Sequence, residues 1–389
     1  MPRISIIGSY TGRNAGDAAI LENIVRDIAE VLPNVQCEVL TVNPAFIRDT
    51  YADLPLEAVP TLPWNLSIKS LGLPLLRSVL RSDAVIVTSA ILFDRKFWNP
   101  LYNYLTSLLL ALPLARRLGK KVFFYSVGVG PVYTAKGRKI VRYLLDHSDG
   151  VTLREEASIA IMHELGVHIE PVLAADPALN QRLSPEMQRE IGDFLSAQTG
   201  EGPRIAINLN AYLDTWVGER NEATLTRPVF VREMGRVVRH VIEQWGWSAI
   251  LICTHYMDEG IVEEVAKEAG REASVFVMSN RHYNHRQLMA AMAASELMIG
   301  MRLHCQILAV AAGTPCVALN YAPKVRHFME MVGLDEYTVE LTDFSAERVL
   351  ECAEKLKADR DEVKPRLTER VGALQAQAKR AAVELARLF

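Results

Sequence analysis

The 389 residues are 50% apolar and 23% charged, with a formal net charge of −3. That length exceeds one ordinary compact domain and suits two, and the apolar share supports sizeable cores and argues against disorder. A charge so near neutral supplies no basic field to hold nucleic acid, so that role is excluded.

The chain opens Met1-Pro2-Arg3 and runs straight into a short strand-like Ile4-Ser5-Ile6-Ile7 closed by Gly8, which does not read as a signal peptide. Strands are predicted next over residues 36–42, 84–88, 121–127, 150–153 and 170–173. A second set follows at 204–208, 248–253, 274–277, 297–299 and 315–319. Helices read between them, among them 17–32, 138–146, 232–245, 259–270 and 303–312. The most apolar stretch, 101–118, is broken by Asn103, Pro113, Arg116 and Arg117. It is too short and too interrupted to span a bilayer and reads as a buried helix.

Strand–helix alternation implies parallel sheets with helices on both faces. It is interrupted once, near Pro185 and Ala197-Gln198-Thr199-Gly200-Glu201-Gly202-Pro203. The expected organisation is therefore an amino-terminal Rossmann-like domain over 1–180, a linker over 181–203, and a second Rossmann-like domain over 204–341. The two are expected to face each other across a cleft, with helices over 342–389. That last stretch mixes Lys357, Arg360, Lys364 and Arg370 with Asp359, Asp361, Glu362 and Glu369, as a solvated helix face does.

Five cysteines, Cys37, Cys253, Cys305, Cys316 and Cys352, are scattered with no Cys-x-x-Cys pair. This fits a reduced, cytoplasmic compartment and argues against a disulfide framework or a structural zinc. His282 and His285 lie in a polar stretch without a third ligand and read as solvated.

In open parallel sheets ligands bind beyond the carboxyl ends of strands, so the residues after each strand carry the functional reading. The strongest such turn is Gly300-Met301-Arg302-Leu303-His304. It places free backbone N–H groups, a guanidinium fork and an imidazole at a helix start, which suits phosphate or carboxylate. Helix polarity and Arg302 disfavour protonation of His304, and a bound dianion favours it. A capped helix with an incidental arginine and histidine would read the same way. The next strand leads to Asn320-Tyr321-Ala322-Pro323-Lys324, which puts Lys324 at a second helix start with Pro323 at its first position.

In the first half, Arg154 ends a strand, either facing ligand or paired with Glu155 or Asp176. The loop Gly8-Ser9-Tyr10-Thr11-Gly12-Arg13-Asn14-Ala15-Gly16-Asp17 is neither a dinucleotide fingerprint nor a P-loop. The charge of Asp17 suits sugar hydroxyls better than phosphate. Gly128-Val129-Gly130-Pro131 is a further strand-end turn, and His255 and Asp258 follow another strand.

Taken in order, Asn14-x-Gly16-Asp17, Gly128-x-Gly130-Pro131, the Arg154 turn ending in Ser158, Asp176-Pro177, His255 with Asp258, Arg302-Leu303-His304 and Pro323-Lys324 resemble the polysaccharide pyruvyltransferase family. The resemblance covers most of the chain, and its specific part is the Arg-Leu-His turn followed by Pro-Lys. It implies an α/β, GT-B-like pair of Rossmann domains and a transferase that moves the pyruvyl unit of phosphoenolpyruvate onto two sugar hydroxyls. Its acceptors are polysaccharides or their precursors, often lipid-linked. The donor-binding residues carry over to Arg154, Arg302, His304 and Lys324. His304 is the expected acid–base group, with Asp17, Asp94 or Asp258 as helpers on the acceptor side, Asp17 first among them. Asn14, Asp17, Thr88, Ser89, Asp94, His255 and Asp258 are expected on the acceptor side or lining the cleft. No cofactor and no metal are implied. A cytoplasmic place is expected, with contact at the inner face of the membrane and a homo-oligomer left open. A nucleotide-sugar glycosyltransferase and a non-catalytic binding homologue are the rival readings. The sequence departs from the family in one place. Where a glycine run is usual, this chain has Thr88-Ser89-Ala90, so side chains stand where bare backbone would approach a ligand.

Overall fold

The computed structural model describes residues 1–61, 73–89, 91–95, 104–211, 225–270 and 274–389. Ala90 lies outside them. The chain divides into two compact units. The first comprises Met1–Gly12, Asp17–Asn180 and Leu374–Phe389, and the second Arg13–Gly16 and Gln181–Ala373.

The first unit is built on β1 (Arg3–Ile7), β2 (Gln36–Thr41), β3 (Leu56–Pro60), β4 (Ala84–Thr88), β5 (Lys121–Val127), β6 (Gly150–Leu153) and β7 (Val172–Leu173). They form one parallel sheet in the order β3-β2-β1-β4-β5-β6-β7. The central strand β4, Ala-Val-Ile-Val-Thr, is buried along its whole length. Such unbroken apolar runs are what a sheet covered on both faces demands. The order reverses between β1 and β4, which makes their carboxyl ends the switch point where a doubly wound sheet opens.

The second unit carries β8 (Arg204–Asn208), β9 (Ser248–Cys253), β10 (Val275–Ser279), β11 (Leu297–Gly300), β12 (Cys316–Asn320) and β13 (Thr338–Glu340). The sheet is again parallel, ordered β10-β9-β8-β11-β12-β13, so its switch point lies between β8 and β11.

Four features differ from the sequence reading. Within the expected linker 181–203, Pro185–Thr199 forms a helix. Ser184 caps it by accepting from the Met187 N–H at 3.1 Å, Pro185 takes the first turn, and Gly200 ends it at φ 82°. Residues that looked like breakers are helix punctuation. This helix packs on His285–Ala293, with Phe194 edge-on to Phe276 at 5.5 Å. Second, the carboxyl-terminal stretch is helical as expected but is divided between the two units. Ala346–Ala378 begins in the second unit, but from Leu374 the chain groups with the first. There Arg380–Ala386 packs on β5 and β6, and Gln375 donates to the Leu179 carbonyl at 2.8 Å. Third, His285 is buried rather than solvated, because a reciprocal cap between Asn284 and Gln287 starts a helix at that residue and turns it inward. His282 is exposed.

Finally, the apolar stretch 101–118 is a helix, Leu105–Arg117, buried on one face only; 101–103 lie outside the described residues. Leu105, Leu108, Ala111, Leu112 and Ala115 face the core, while Leu110 and Leu114 are exposed. Among the described residues no helix is long and apolar enough to cross a membrane.

Candidate functional site

At the second unit's switch point, Gly300 of β11 lies in register with Asn208 of β8. Asn208 is fully buried and joins three strands. Its Nδ2 donates to the Ile252 carbonyl of β9 at 2.8 Å, and its Oδ1 accepts from the Arg302 backbone N–H at 2.9 Å. Sequence reasoning passed over Asn208, although an asparagine closing the apolar run Arg-Ile-Ala-Ile-Asn was a usable signal.

Arg302 therefore leaves the sheet with its backbone held, and it serves as N-cap of the helix Leu303–Ala311. Its guanidinium is gripped by Asp258, Nε to Oδ2 at 2.5 Å and Nη2 to Oδ1 at 2.8 Å. Asp258 is wholly buried, and its Oδ1 also accepts from the Ala211 N–H at 2.9 Å. The fork expected to grasp a ligand at both prongs thus has two of its five donors committed to a carboxylate 44 residues earlier. Asp258, expected on the acceptor side, is the residue that orients Arg302.

His255 adjoins this pair. Its Nδ1 accepts from the Met257 N–H at 3.2 Å, and its ring stacks on Tyr256 with centroids 5.0 Å apart. Burial, reinforced by the Arg302 and Arg13 charges and partly offset by Asp258, lowers its pKa from 6.5 to about 4. The imidazole is therefore neutral at pH 7. Tyr256 also carries the guanidinium of Arg13 at 5.6 Å and that of Arg281 at 5.4 Å from its ring centre.

The amino-terminal motif belongs with these residues in part. Asn14 bridges His255 in antiparallel fashion, the Ala15 N–H donates to the Thr254 carbonyl at 2.8 Å, and Asn14 Oδ1 accepts from the Gly16 N–H at 2.9 Å. A Cβ on Gly16 would stand 2.3 Å from the His304 Cβ and 2.4 Å from its Cγ. Glycine is required there because the imidazole of His304 lies against bare backbone. Lys324 sits in the first turn of Pro323–Val332, its ammonium 5.5 Å from the Tyr321 ring centre. Beside it, Glu340 at the end of β13 accepts from Asn320 and from Arg326.

Arg154 and Asp17 lie in the first unit. Arg154 is buried and donates from Nη1 to Asp176 at 3.1 Å, with Glu155 4.0 Å from Nε. Burial works against its charge, but Glu155, Asp176 and Asp17 outweigh that and hold its pKa above the usual value. Arg154 is thus paired with Asp176, one of the two arrangements its strand-end position allowed.

At the β1–β4 switch point, Thr88 and Ser89 are buried and turn to the hydroxyl of Tyr10, which meets Thr88 Oγ1 and accepts from Ser89 Oγ at 3.4 Å. Ser89 adopts φ 70°, the left-handed region that glycine enters without strain. The departure from the family's glycine run has therefore changed the side chain while the backbone keeps a glycine conformation at Ser89. Ser89→Gly is expected to raise stability by about 1 kcal/mol, the cost of a left-handed non-glycine residue less one long hydrogen bond. Urea denaturation checks this, and a loss of stability would mean that the hydroxyl contact outweighs the strain.

Asp94 does not join either cluster. Its carboxylate accepts from the Tyr133 N–H at 2.9 Å and the Thr134 N–H at 2.5 Å, just ahead of the helix Ala135–Asp146. It is buried, and its oxygens order that helix start instead of meeting solvent. Among the described residues no group of three or more histidines, cysteines or acids is placed to hold a metal ion.

The family model for polysaccharide pyruvyl transferases matches residues 14–323, from Asn14 to Pro323, and so takes in Asn14, Asp17, Thr88, Arg154, His255, Asp258, Arg302 and His304, with Lys324 following directly. The chain belongs to that family. The amylovoran biosynthesis protein AmsJ of Erwinia amylovora is 24% identical over 228 residues, 56% of this chain and 53% of that protein. The chain thus spans about half the length of the curated relative it matches. Among solved structures, HepE of Anabaena with UDP-glucose superposes at a TM-score of 0.63 with 12% identity, covering 100% of both chains. The S. aureus MnaA–UDP structure gives 0.64 at 12% identity, covering 95% and 91%. E. coli ADP-heptose lipopolysaccharide heptosyltransferase II gives 0.55 at 15%, covering 93% and 100%. Likeness at such identities is one of fold, and it agrees with the α/β, GT-B-like class expected from the pyruvyl transferase motifs.

Proposed function

We propose that this chain transfers the pyruvyl group of phosphoenolpyruvate onto two hydroxyls of a sugar in a polysaccharide or its precursor, as a cyclic ketal, releasing phosphate. The observation that carries the reading is the pyruvyl transferase match, which runs through the Arg302–His304 turn and the Asn14–Gly16 segment packed against it. Phosphoenolpyruvate is a small trianion, and helix-start N–H groups with Arg302 and Lys324 offer the fixed positive charge it needs. In this proposal Asp258 holds the guanidinium plane of Arg302, so the arginine meets the donor in one orientation.

The reaction proceeds by proton transfer to the methylene carbon of the donor. That breaks the carbon–carbon π bond and leaves an oxocarbenium centre at C2. One sugar hydroxyl adds there and gives up its proton. The C2–O bond to phosphate then breaks, and the second hydroxyl adds at C2 and closes the ketal, its proton leaving with the phosphate. His304 is assigned the proton transfers, Asp17 assistance to the acceptor hydroxyls, and Arg154 a share in donor binding. Asn14, Thr88, Ser89 and His255 are assigned to the acceptor side, where the hydroxyl of Ser89 and the neutral ring of His255 can hydrogen-bond sugar. Asp94 is withdrawn from that set.

The rival is a nucleotide-sugar transferase, since the fold is shared with proteins solved bound to UDP. Phosphoenolpyruvate at 100 times its dissociation constant is expected to stabilise the fold by about 2.7 kcal/mol, and UDP sugars not at all. Thermal denaturation with each ligand, followed by phosphate release in the presence of a lipid-linked sugar panel, decides between them. A shift with UDP sugars and none with phosphoenolpyruvate rejects the pyruvyl reading.

A further inference from the structure

Two helices of the first unit, Leu73–Arg81 and Leu105–Arg117, pack against each other on one side of the sheet. Each has a buried face that accounts for its place in the core: Leu75, Ser78 and Val79 in one, and Leu105, Leu108, Ala111, Leu112 and Ala115 in the other. Their outer faces are not those of ordinary surface helices. Leu110, Leu114 and Leu118 recur every four residues, and Leu73 and Leu80 sit on the neighbouring helix, all 38% to 61% exposed. An exposed leucine alone means little, but four on two touching helices and a fifth at the C-cap of one make an apolar patch of the kind that marks an interaction surface.

Charge identifies the partner. Residues 73–82 and 104–121 contain six basic side chains, Arg77, Arg81, Arg116, Arg117, Lys120 and Lys121, and no aspartate or glutamate. Among the described residues, only Arg116 of these six is drawn off, to Asp149 at 2.8 Å. In a chain of net charge −3 that is a local reversal of sign. A protein partner or a second copy of this chain would call for an apolar face rimmed by both signs of charge in comparable number. Leucines rimmed by six basic residues, against only Asp149 on Arg116 and Asp83 just past the first helix, match an anionic lipid surface, with the alkyl groups at the acyl boundary and the guanidinium and ammonium groups among the phosphates. Pro113 lies within the longer helix, and neither helix is long and apolar enough to cross a membrane, so the contact is one of lying on the surface.

We infer that this two-helix face docks the protein on an anionic bilayer, independently of any acceptor the bilayer carries. The test is flotation of the full chain with vesicles of 30% phosphatidylglycerol in phosphatidylcholine, against phosphatidylcholine alone. Binding is expected only to the anionic vesicles, and it should weaken as salt rises to 0.5 M. Leu110→Glu with Leu114→Glu should lower partitioning by about 10-fold or more, and Arg77→Gln with Arg81→Gln and Arg117→Gln by a similar factor. Melting curves report whether each variant stays folded. If the glutamate pair does not, Leu80→Ser with Leu114→Ser takes its place, with the same outcome expected. No binding to anionic vesicles, or equal binding by the leucine variants, overturns the inference. So does a wild-type dimer that the leucine variants convert to monomer without any vesicle binding, since that assigns the face to a second copy.

Discussion

His304→Asn is expected to bind phosphoenolpyruvate nearly as the wild type does and to turn over roughly 10²–10⁴-fold more slowly, the usual worth of a positioned acid or base. Asparagine keeps hydrogen-bonding capacity and is small enough to lie against Gly16, where the imidazole Cβ and Cγ already fill the space a methyl group would need. What it lacks is a ring nitrogen that can take up and release a proton. Calorimetry for the donor and single-turnover rates at saturating donor separate the two effects. If affinity and rate fall together, His304 is a binding residue. If the single-turnover rate is near normal, the proton transfers belong elsewhere, and Asp17 is the next residue to replace.

Arg302→Ala is expected to abolish donor binding and also to destabilise the second unit by about 3–5 kcal/mol, because it strands the buried Asp258 carboxylate without its partner. Loss of binding in that variant alone would be ambiguous. Removing both members, Arg302→Ala with Asp258→Ala, leaves no uncompensated charge and should recover a large part of the stability while binding remains lost. Arg302→Lys should recover neither in full, because an ammonium cannot meet both Asp258 oxygens in one plane. Urea denaturation gives the stabilities and calorimetry the affinities. Donor affinity that returns in the double variant would make Arg302 a purely structural partner of Asp258.

The strand ends were legible because buried parallel strands are short apolar runs, as β4, β8 and β9 are. Two edge strands escaped notice for the matching reason. In β3, Leu-Glu-Ala-Val-Pro, no residue is fully buried, so no apolar run is needed, and β13 has only three residues. The helix Pro185–Thr199 was hidden by its own caps, since Ser184-Pro185 and Gly200 punctuate a helix and a loop alike. In the candidate site the residue types were readable, but their partners were not. Nothing local ties Asp258 to Arg302, Asn208 to the Arg302 N–H, or Gly16 to His304. The first two pairs are made by strand order within one sheet, and the third by the grouping of residues 13–16 with the second unit; each joins segments far apart in the chain.

The return of the last helices to the first unit bears on how the protein is made. Residues 1–180 leave the ribosome ahead of the second unit and contain all seven strands of their sheet. Yet the surface of β5 and β6 that receives Ala381, Ala382 and Leu385 stays uncovered until more than 190 further residues have been translated. The second unit, whose strands lie wholly within 204–340, can complete its sheet before the first acquires its final layer. Synthesis order and completion order are thus reversed, and the nascent first unit is the one that must wait with apolar surface open to chaperones.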